Sequence, residues 1–217
     1  AGHSLTKEPS ASQDSYFIAA HFVGRHVELG ELQLALTEAL HDAGSAWLIV
    51  GESGVGKSRL LEELRSSALQ SGALAVRGQA VPGGAAYHVW QDVLALLALQ
   101  LPLSELELGV LATILPKLPA LLGSEPTQLQ SLDPASARLQ LFRVIDDLLG
   151  RLPEPALLLL EDLQWADAES LALLAMVAGN ISRRPLLIVA SYRANDVVGL
   201  EESFPLLRKL HLQRLGR

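Results

Sequence analysis

The sequence contains no cysteine, few aromatic residues and no long hydrophobic run. Without cysteine, disulfides and thiolate metal sites are excluded. The longest apolar runs, such as 156–160 and 171–178, fall well short of the about 20 residues that a transmembrane helix requires. No signal peptide opens the chain either. These absences are compatible with a cytoplasmic protein that has no membrane contact.

Positive charge is scarce as well. The formal net charge of −7 argues against broad, nonspecific binding of nucleic acid, because a phosphate backbone attracts basic surfaces. Nucleotide binding requires only a local positive pocket and stays open. The six histidines show no metal-ligand spacing, so we do not expect a zinc site.

The apolar content is sufficient for a large core. Hydrophobic residues make up 49% of the 217 positions, and leucine and alanine supply most of them, which favours helix. This length suits one α/β domain, or one domain with a helical insertion. Residues 1–15 are small and polar and indicate a disordered leader or linker, so we assign the core to residues 16–217.

The feature that organises the chain is a glycine-rich loop after a short apolar strand, Trp47 to Val50. The loop fills every fixed position of the pattern G-x-x-x-x-G-K-[ST] with Gly51, Glu52, Ser53, Gly54, Val55, Gly56, Lys57 and Ser58. Glycines let backbone N–H groups turn toward phosphates, and a helix starting at about Gly56 adds the positive end of its dipole. Lys57 brings a positive charge to the β- and γ-phosphates, and the Ser58 hydroxyl can bind Mg²⁺. The alternative is a glycine-rich turn that matches by chance.

A second motif follows about a hundred residues later. The segment from Pro155 to Asp162 is a predicted strand that ends in two acids, Glu161 and Asp162, the arrangement called Walker B. Neighbouring strand residues point to opposite faces, so the two acids cannot share one role. We interpret Glu161 as the metal-side acid and Asp162 as the acid that orients the attacking water. The alternative is a solvated strand end.

Several single residues complete the candidate site. Arg193 follows the predicted strand Leu186 to Tyr192 and could contact a γ-phosphate. Asp167 is expected to cap a helix first, and Trp165 is expected to pack rather than to stack on a base. Arg59 adjoins the loop and is included in the nucleotide-binding set, although its side chain is expected to point along the helix.

The remaining elements alternate between helix and strand, which predicts a mostly parallel sheet. A first helix should carry its apolar face on Leu29, Leu32, Leu36, Ala39 and Leu40, with Gly44 as its C-cap. A second strand is predicted over Ala73 to Gln79, and a helical insertion over 81–150, with helices at Tyr87 to Leu101 and from Asp133 to Leu149. A short helix near Phe204 to Arg208 and an edge strand, Leu210 to Gln213, should end the chain.

Together these motifs resemble the STAND class of P-loop ATPases, in particular the ATPase modules of large LuxR-type regulators and of some bacterial adenylate cyclases and kinases. The matching stretches are Phe22 to Arg25, Gly51 to Ser58, Leu157 to Asp167, and Ser191 to Arg193, and the loop and helix of Pro82 to Trp90 are also similar.

The resemblance implies a three-layer fold with a five-stranded sheet of order 5-1-4-3-2, in which the acid-bearing strand lies next to the phosphate-loop strand. It implies that Val23, Gly24 and Arg25 contact the adenine and ribose and that Arg193 senses the γ-phosphate. Such modules are slow ATP/ADP switches that use Mg²⁺ and control self-association and an attached output domain. A helical and winged-helix lid normally follows the core, and we interpret this chain as lacking the lid and the effector and sensor domains.

Three functions stay open at this point. The first is an ATP-binding regulatory switch with weak ATPase activity, in which any DNA contact belongs to a domain outside this chain. The second is a P-loop kinase for a small substrate, although the helical insertion supplies no clustered arginines. The third is an interaction module with a vestigial site.

Overall fold

The computed structural model describes residues 24–124, 131–197 and 199–214. Val23, the apolar stretch Phe17 to Phe22 and the predicted leader, residues 1–15, lie outside these ranges. In chain order the elements are α1 (His26–Ala39), β1 (Ser45–Gly51), α2 (Lys57–Gln70), β2 (Leu74–Gln79), α3 (His88–Ala98), α4 (Glu105–Ala112), α5 (Leu118–Leu121), α6 (Pro134–Gly150), β3 (Ala156–Glu161), α7 (Ala168–Asn180), β4 (Leu186–Arg193) and β5 (Arg208–Leu212). Short 3₁₀ turns occupy Leu163–Trp165, Ile181–Arg183 and Leu200–Ser203.

The five strands form one sheet of order β2-β3-β4-β1-β5, and every neighbouring pair is parallel. This confirms the predicted order. It also shows that the acid-bearing strand does not lie next to the phosphate-loop strand, since β4 lies between β3 and β1. Two strand spacings, about 10 Å, therefore separate the strands that carry the two main motifs.

Each face of the sheet buries its own apolar core, which makes the fold three-layered. Alternate residues of the central strands pack with α1 and α2 on one face, among them Trp47, Ile49, Leu157, Leu159, Leu187 and Val189. The residues between them pack with α3, α4, α6 and α7 on the other face. Because both faces are covered, β1 and β3 are buried at every position. This explains why four consecutive leucines, Leu157 to Leu160, form a strand despite their helical propensity.

Two local predictions are wrong. Gly44 does not cap α1, which ends at Ala39, and Asp42 adopts the left-handed conformation in the following turn (φ 62°). A Cβ atom on Gly44 would instead overlap the carbonyl oxygens of Ile181 and Arg184, so close backbone packing requires this glycine. Phe204 to Arg208 is not helical, because Pro205 disfavours helix at Phe204 and β5 already begins at Arg208.

The described residues include no helix that is both long and apolar enough to cross a membrane.

Candidate functional site

The phosphate loop connects β1 to α2 at the carboxyl edge of the sheet, where ligands of open parallel sheets bind. Gly54 and Gly56 have positive φ angles of 78° and 99°, and the space in which their Cβ atoms would lie is open. Gly51 is required for another reason, since a Cβ there would lie 2.9 Å from the carbonyl oxygen of Leu212 in β5. Helix α2 begins at Lys57 with Gly56 as its N-cap, so its N-terminus faces the loop, as the sequence predicted.

Lys57 is folded back onto this loop. Its Nζ atom donates hydrogen bonds to the carbonyl oxygens of Gly51 (2.7 Å) and Glu52 (2.8 Å), and only 9% of the residue is exposed. Burial and the nearby Arg193 guanidinium lower the pKa of Lys57, and the carboxylates of Asp162 and Asp196 act in the opposite direction. The ammonium group is thus held inside the loop by two backbone carbonyl oxygens.

The side chains of Ser58 and Glu161 are in contact, although β4 lies between the strands that carry the two main motifs. The Ser58 hydroxyl donates to Glu161 Oε2 at 3.1 Å, while Glu161 Oε1 lies 2.6 Å from Nε of Arg77 in β2. Glu161 is almost fully buried, and this burial raises the pKa of its carboxyl group, although Arg77 and Ser58 oppose the change. The pair is a hydroxyl and a carboxylate in contact, and oxygen donors of this kind are the ligands that Mg²⁺ prefers.

Asp162 occupies a different environment. Asp162 lies just beyond β3 in the left-handed conformation (φ 58°). The sequence argument assumed that strand alternation directs the side chains of Glu161 and Asp162 to opposite sides, but this turn separates them instead. Its two carboxylate oxygens accept hydrogen bonds from Gln164 Nε2 (2.9 Å) and Gln79 Nε2 (2.8 Å). Burial raises its pKa, but these bonds and the charges of Arg193 and Lys57 outweigh it, and the net pKa is lowered. The pKa values of these two adjacent acids are therefore shifted in opposite directions.

Arg193 ends β4 between the two motifs. Its Nε atom lies 3.5 Å from Asp162 Oδ1 and its side chain is 39% exposed, so a guanidinium group stands at the rim of the site beside the acid. Its backbone N–H donates to Gln164 Oε1 at 3.0 Å. The structure therefore brings together Lys57, Ser58, Glu161, Asp162 and Arg193, five of the residues that the sequence singled out.

Arg25 contacts the phosphate loop directly. Its guanidinium is buried and binds Glu28 (2.7 Å), the carbonyl oxygen of Val55 in the phosphate loop (3.2 Å) and the carbonyl oxygen of Gln213 beyond β5. The last two of these contacts tie the phosphate loop to the end of β5 through the Nη2 atom of Arg25, and its buried Nε atom has no hydrogen-bond partner among the described residues. Gly24, in contrast, is exposed (φ 93°) just before α1.

The other predicted residues have mixed outcomes. Asp167 caps α7 by accepting from the backbone N–H of Ser170 at 2.9 Å, as expected. Trp165 was expected to pack but is 43% exposed, because the 3₁₀ turn directs Leu163 and Gln164 inward and leaves Trp165 on the outer side. Ser53 is exposed within the phosphate loop, and Arg59 is exposed just after it. Among the described residues no group of three metal-ligating side chains is found.

Three site residues were missed at the sequence level, namely Arg77, Gln79 and Gln164. The first two lie on β2, which borders the acid-bearing strand in the predicted sheet order, so the strand-end argument applied to β2 would have found Gln79. Gln164 lies inside the quoted motif but carries no charge, and the sequence offers no reason to assign it a role.

A glycine-rich phosphate loop, strand-end acids and an all-parallel sheet of this order define the class of P-loop ATPase modules. The AAA ATPase domain profile matches residues 21–189, and the chain belongs to that family. An uncharacterized protein of Rhizobium meliloti (strain 1021) is 30% identical over 195 residues, a match that covers 79% of this chain and 18% of that protein. The solved structure of Cdc6p from Pyrobaculum aerophilum superposes with a TM-score of 0.54 at 13% identity, covering 92% of this chain and 48% of that chain, and this likeness concerns the fold alone. The chain thus spans less than half the length of either protein.

Proposed function

We propose that this ATPase domain is an ATP-binding regulatory switch with slow, Mg²⁺-dependent hydrolysis, acting within a larger signalling or transcription-regulating protein. The contact between Arg193 and Asp162 carries the proposal. This contact links Arg193, which would bind a γ-phosphate, to Asp162, which would orient the attacking water. The same two side chains can therefore report the nucleotide state and limit the reaction rate.

The residues present fit a Mg²⁺–nucleotide complex. The open space beside Gly54 and Gly56, the buried Lys57 ammonium and the N-terminus of α2 suit a chain of phosphates. Ser58 and Glu161 would hold Mg²⁺, which neutralises developing charge on phosphate oxygens when bound. Asp162, ionised and fixed by two amides, would orient water. Val23 and Gly24 remain candidates for base contacts, and we assign Arg25 to the support of the phosphate loop.

The switch follows from competition for Arg193. Its contact with Asp162 is long and half-exposed, so a γ-phosphate offers the guanidinium a stronger, charge-assisted partner. ADP offers no such group. A ligand shifts a conformational equilibrium only by its differential affinity for the two states, and Arg193 supplies a difference between ATP and ADP.

The larger context belongs to the same proposal. We assign 16–217 to the ATPase core, with 81–150 as its helical insertion, and expect attached effector and sensor domains to read the state of the site. ATP-dependent self-association is one output of such a core. Direct DNA contact is assigned to another domain, in keeping with the net charge of −7.

Calorimetric titration combined with phosphate release tests the proposal. Wild-type protein should bind Mg²⁺–ATP and release inorganic phosphate slowly with no added acceptor, whereas Lys57→Ala should abolish binding. The double variant Glu161→Gln with Asp162→Asn should still bind ATP but lose at least about 90% of multiple turnover, since electrostatic and positioning contributions of this kind are worth about 10²-fold.

Each outcome discriminates between the functions. Unchanged affinity in Lys57→Ala would refute the proposed site, and surviving turnover in the double variant would refute the roles of the acids. Formation of ADP and a phosphorylated acceptor on addition of a small acceptor, without release of inorganic phosphate, would indicate a kinase, and no binding by wild-type protein would indicate a vestigial site.

A further inference from the structure

A buried glutamine joins the ends of two strands at the candidate site. Gln164, 9% exposed, donates from Nε2 to Asp162 Oδ1 at 2.9 Å and accepts at Oε1 from the backbone N–H of Arg193 at 3.0 Å. The nitrogen and the oxygen of this side-chain amide are thus both hydrogen-bonded, the nitrogen to the acid that follows β3 and the oxygen to the last residue of β4. Neither the family assignment nor the resemblance gives this residue a role.

The position of Gln164 in the sheet explains why an amide is needed. The pairing of β3 with β4 ends at Leu160 and Ala190, three residues before Arg193, so no β3 carbonyl is available to its N–H. The Gln164 side chain takes that place. The neutral amide can accept from the Arg193 N–H and at the same time donate to an ionised carboxylate; a glutamate would lack the donor and a leucine would lack both groups.

The second amide on Asp162 is not equivalent. Gln79 binds the other carboxylate oxygen, but its side chain is exposed and has no contact with β4 in the hydrogen bonds of the described residues. Gln164 alone of the two touches both Asp162 and Arg193. It therefore sets the distance between the acid and the residue that carries the guanidinium.

We infer that Gln164 is a positioning residue that holds Asp162 and Arg193 in register, so that the water-orienting acid and the γ-phosphate contact move as one unit. The inference rests on the proposed function for its catalytic consequence. The structural claim, that Gln164 holds Asp162 and Arg193 together, concerns only the nucleotide-free protein. Two measurements separate these parts.

Three variants are compared with wild-type protein. Gln164→Leu removes donor and acceptor at similar volume, and Gln164→Glu keeps the acceptor for Arg193 but sets a second carboxylate against Asp162. Gln140→Leu, a half-buried position in α6 of the helical region, is the matched control.

Amide hydrogen exchange of nucleotide-free protein, followed by NMR, tests the geometry. The Arg193 amide should exchange at least about tenfold faster in Gln164→Leu, because a protecting hydrogen bond is lost, and at the wild-type rate in Gln164→Glu and Gln140→Leu. An unchanged Arg193 rate in Gln164→Leu would overturn the inference. Wild-type rates at Ala190, inside the paired part of β4, would show that the strand itself is intact.

Steady-state hydrolysis and ATP affinity test the consequence. Both Gln164 variants should lower kcat by about 10- to 100-fold, the usual effect of misplaced catalytic groups, while Kd for Mg²⁺–ATP stays within about threefold. Wild-type kcat in Gln164→Leu, or a parallel loss of affinity, would overturn the positioning role. Absence of turnover in wild-type protein would refute the proposed function instead, and the exchange result would still decide whether Gln164 holds the two strand ends together.

Discussion

Gly78 lies in β2 directly beneath the first turn of α3. A Cβ atom at this position would overlap the carbonyl oxygen of Val89 and lie 3.1 Å from Cγ2 of Val93. The obstacle is backbone rather than a flexible side chain, so it cannot move without displacing the helix. Close packing of α3 on β2 thus depends on the absence of one methyl group.

We expect Gly78→Ala to lower the free energy of unfolding by about 2–3 kcal/mol, the usual cost of overpacking a core, in urea titrations. Gly30→Ala is the control, because nothing lies within 4 Å of a Cβ there and alanine favours helix by about 0.5–1 kcal/mol. If the two variants were equally stable, α3 would not be pressed against β2 in solution.

The charged residues of the site were predictable, and the neutral ones were not. Lys57, Glu161 and Arg193 follow strands or fill a fixed pattern, and the rule that strand ends share an edge brings them together. Gln164 acts through two hydrogen bonds to groups on different strands, and Arg25 acts through carbonyl oxygens distant in sequence. Such contacts depend on tertiary register, which residue types do not reveal.

At the scale of elements, Asp167 connects two pieces of structure. It caps α7 through the Ser170 N–H (2.9 Å) and hydroxyl (2.5 Å), and it also accepts from the Tyr87 N–H (3.1 Å) just before α3. Burial raises its pKa, but these hydrogen bonds outweigh the burial and lower the pKa overall. The ionised carboxylate is thus the form that the folded protein prefers.

We expect Asp167→Ala to destabilise the protein by about 1–2 kcal/mol at pH 7, as loss of an N-cap does, with Asp167→Asn in between. A lowered folded-state pKa gives stability that is present above the unfolded pKa of about 3.9 and is lost as pH falls through the folded value. Urea titrations at pH 7 and pH 3 should therefore show the gap between wild type and Asp167→Asn shrinking at the lower pH. Asp92→Asn in α3, away from any cap, should stay within about 0.5 kcal/mol of wild type; a gap independent of pH would contradict the charged cap.

Helix starts were easier to predict than helix ends and turns. Asp133 and Asp167 cap α6 and α7 as predicted, because a cap is a bond between near neighbours in sequence. The end of α1 and the turn before β5 depend on packing against other segments, as Gly44 shows. Local patterns cannot report such contacts.

At the scale of the whole molecule, alternating strands and helices predict a mostly parallel sheet. The resemblance supplied the strand order, together with a neighbour relation that this order forbids. β4 separates the strands of the two main motifs, and the Ser58 hydroxyl reaches Glu161 only because α2 begins at the edge of the sheet. The phosphate loop, β4 and the β3 acids are thus three parts of one surface. Nucleotide that bridges them should stabilise the whole domain rather than a single loop.

This coupling predicts a thermal shift. A ligand that binds only the folded state at 100 times its Kd adds about 2.7 kcal/mol, which for a domain of this size corresponds to a rise in Tm of roughly 5–10 °C. Mg²⁺–ATP should produce this shift in wild-type protein and in the Glu161→Gln, Asp162→Asn double variant, in differential scanning fluorimetry. Lys57→Ala, with Mg²⁺ alone as a second control, should show none. ADP should give a smaller shift than ATP, because it has no γ-phosphate for Arg193 to contact. In Arg193→Ala the shifts with ATP and ADP should therefore be equal. A difference that persists in this variant would place the ATP sensor on another residue.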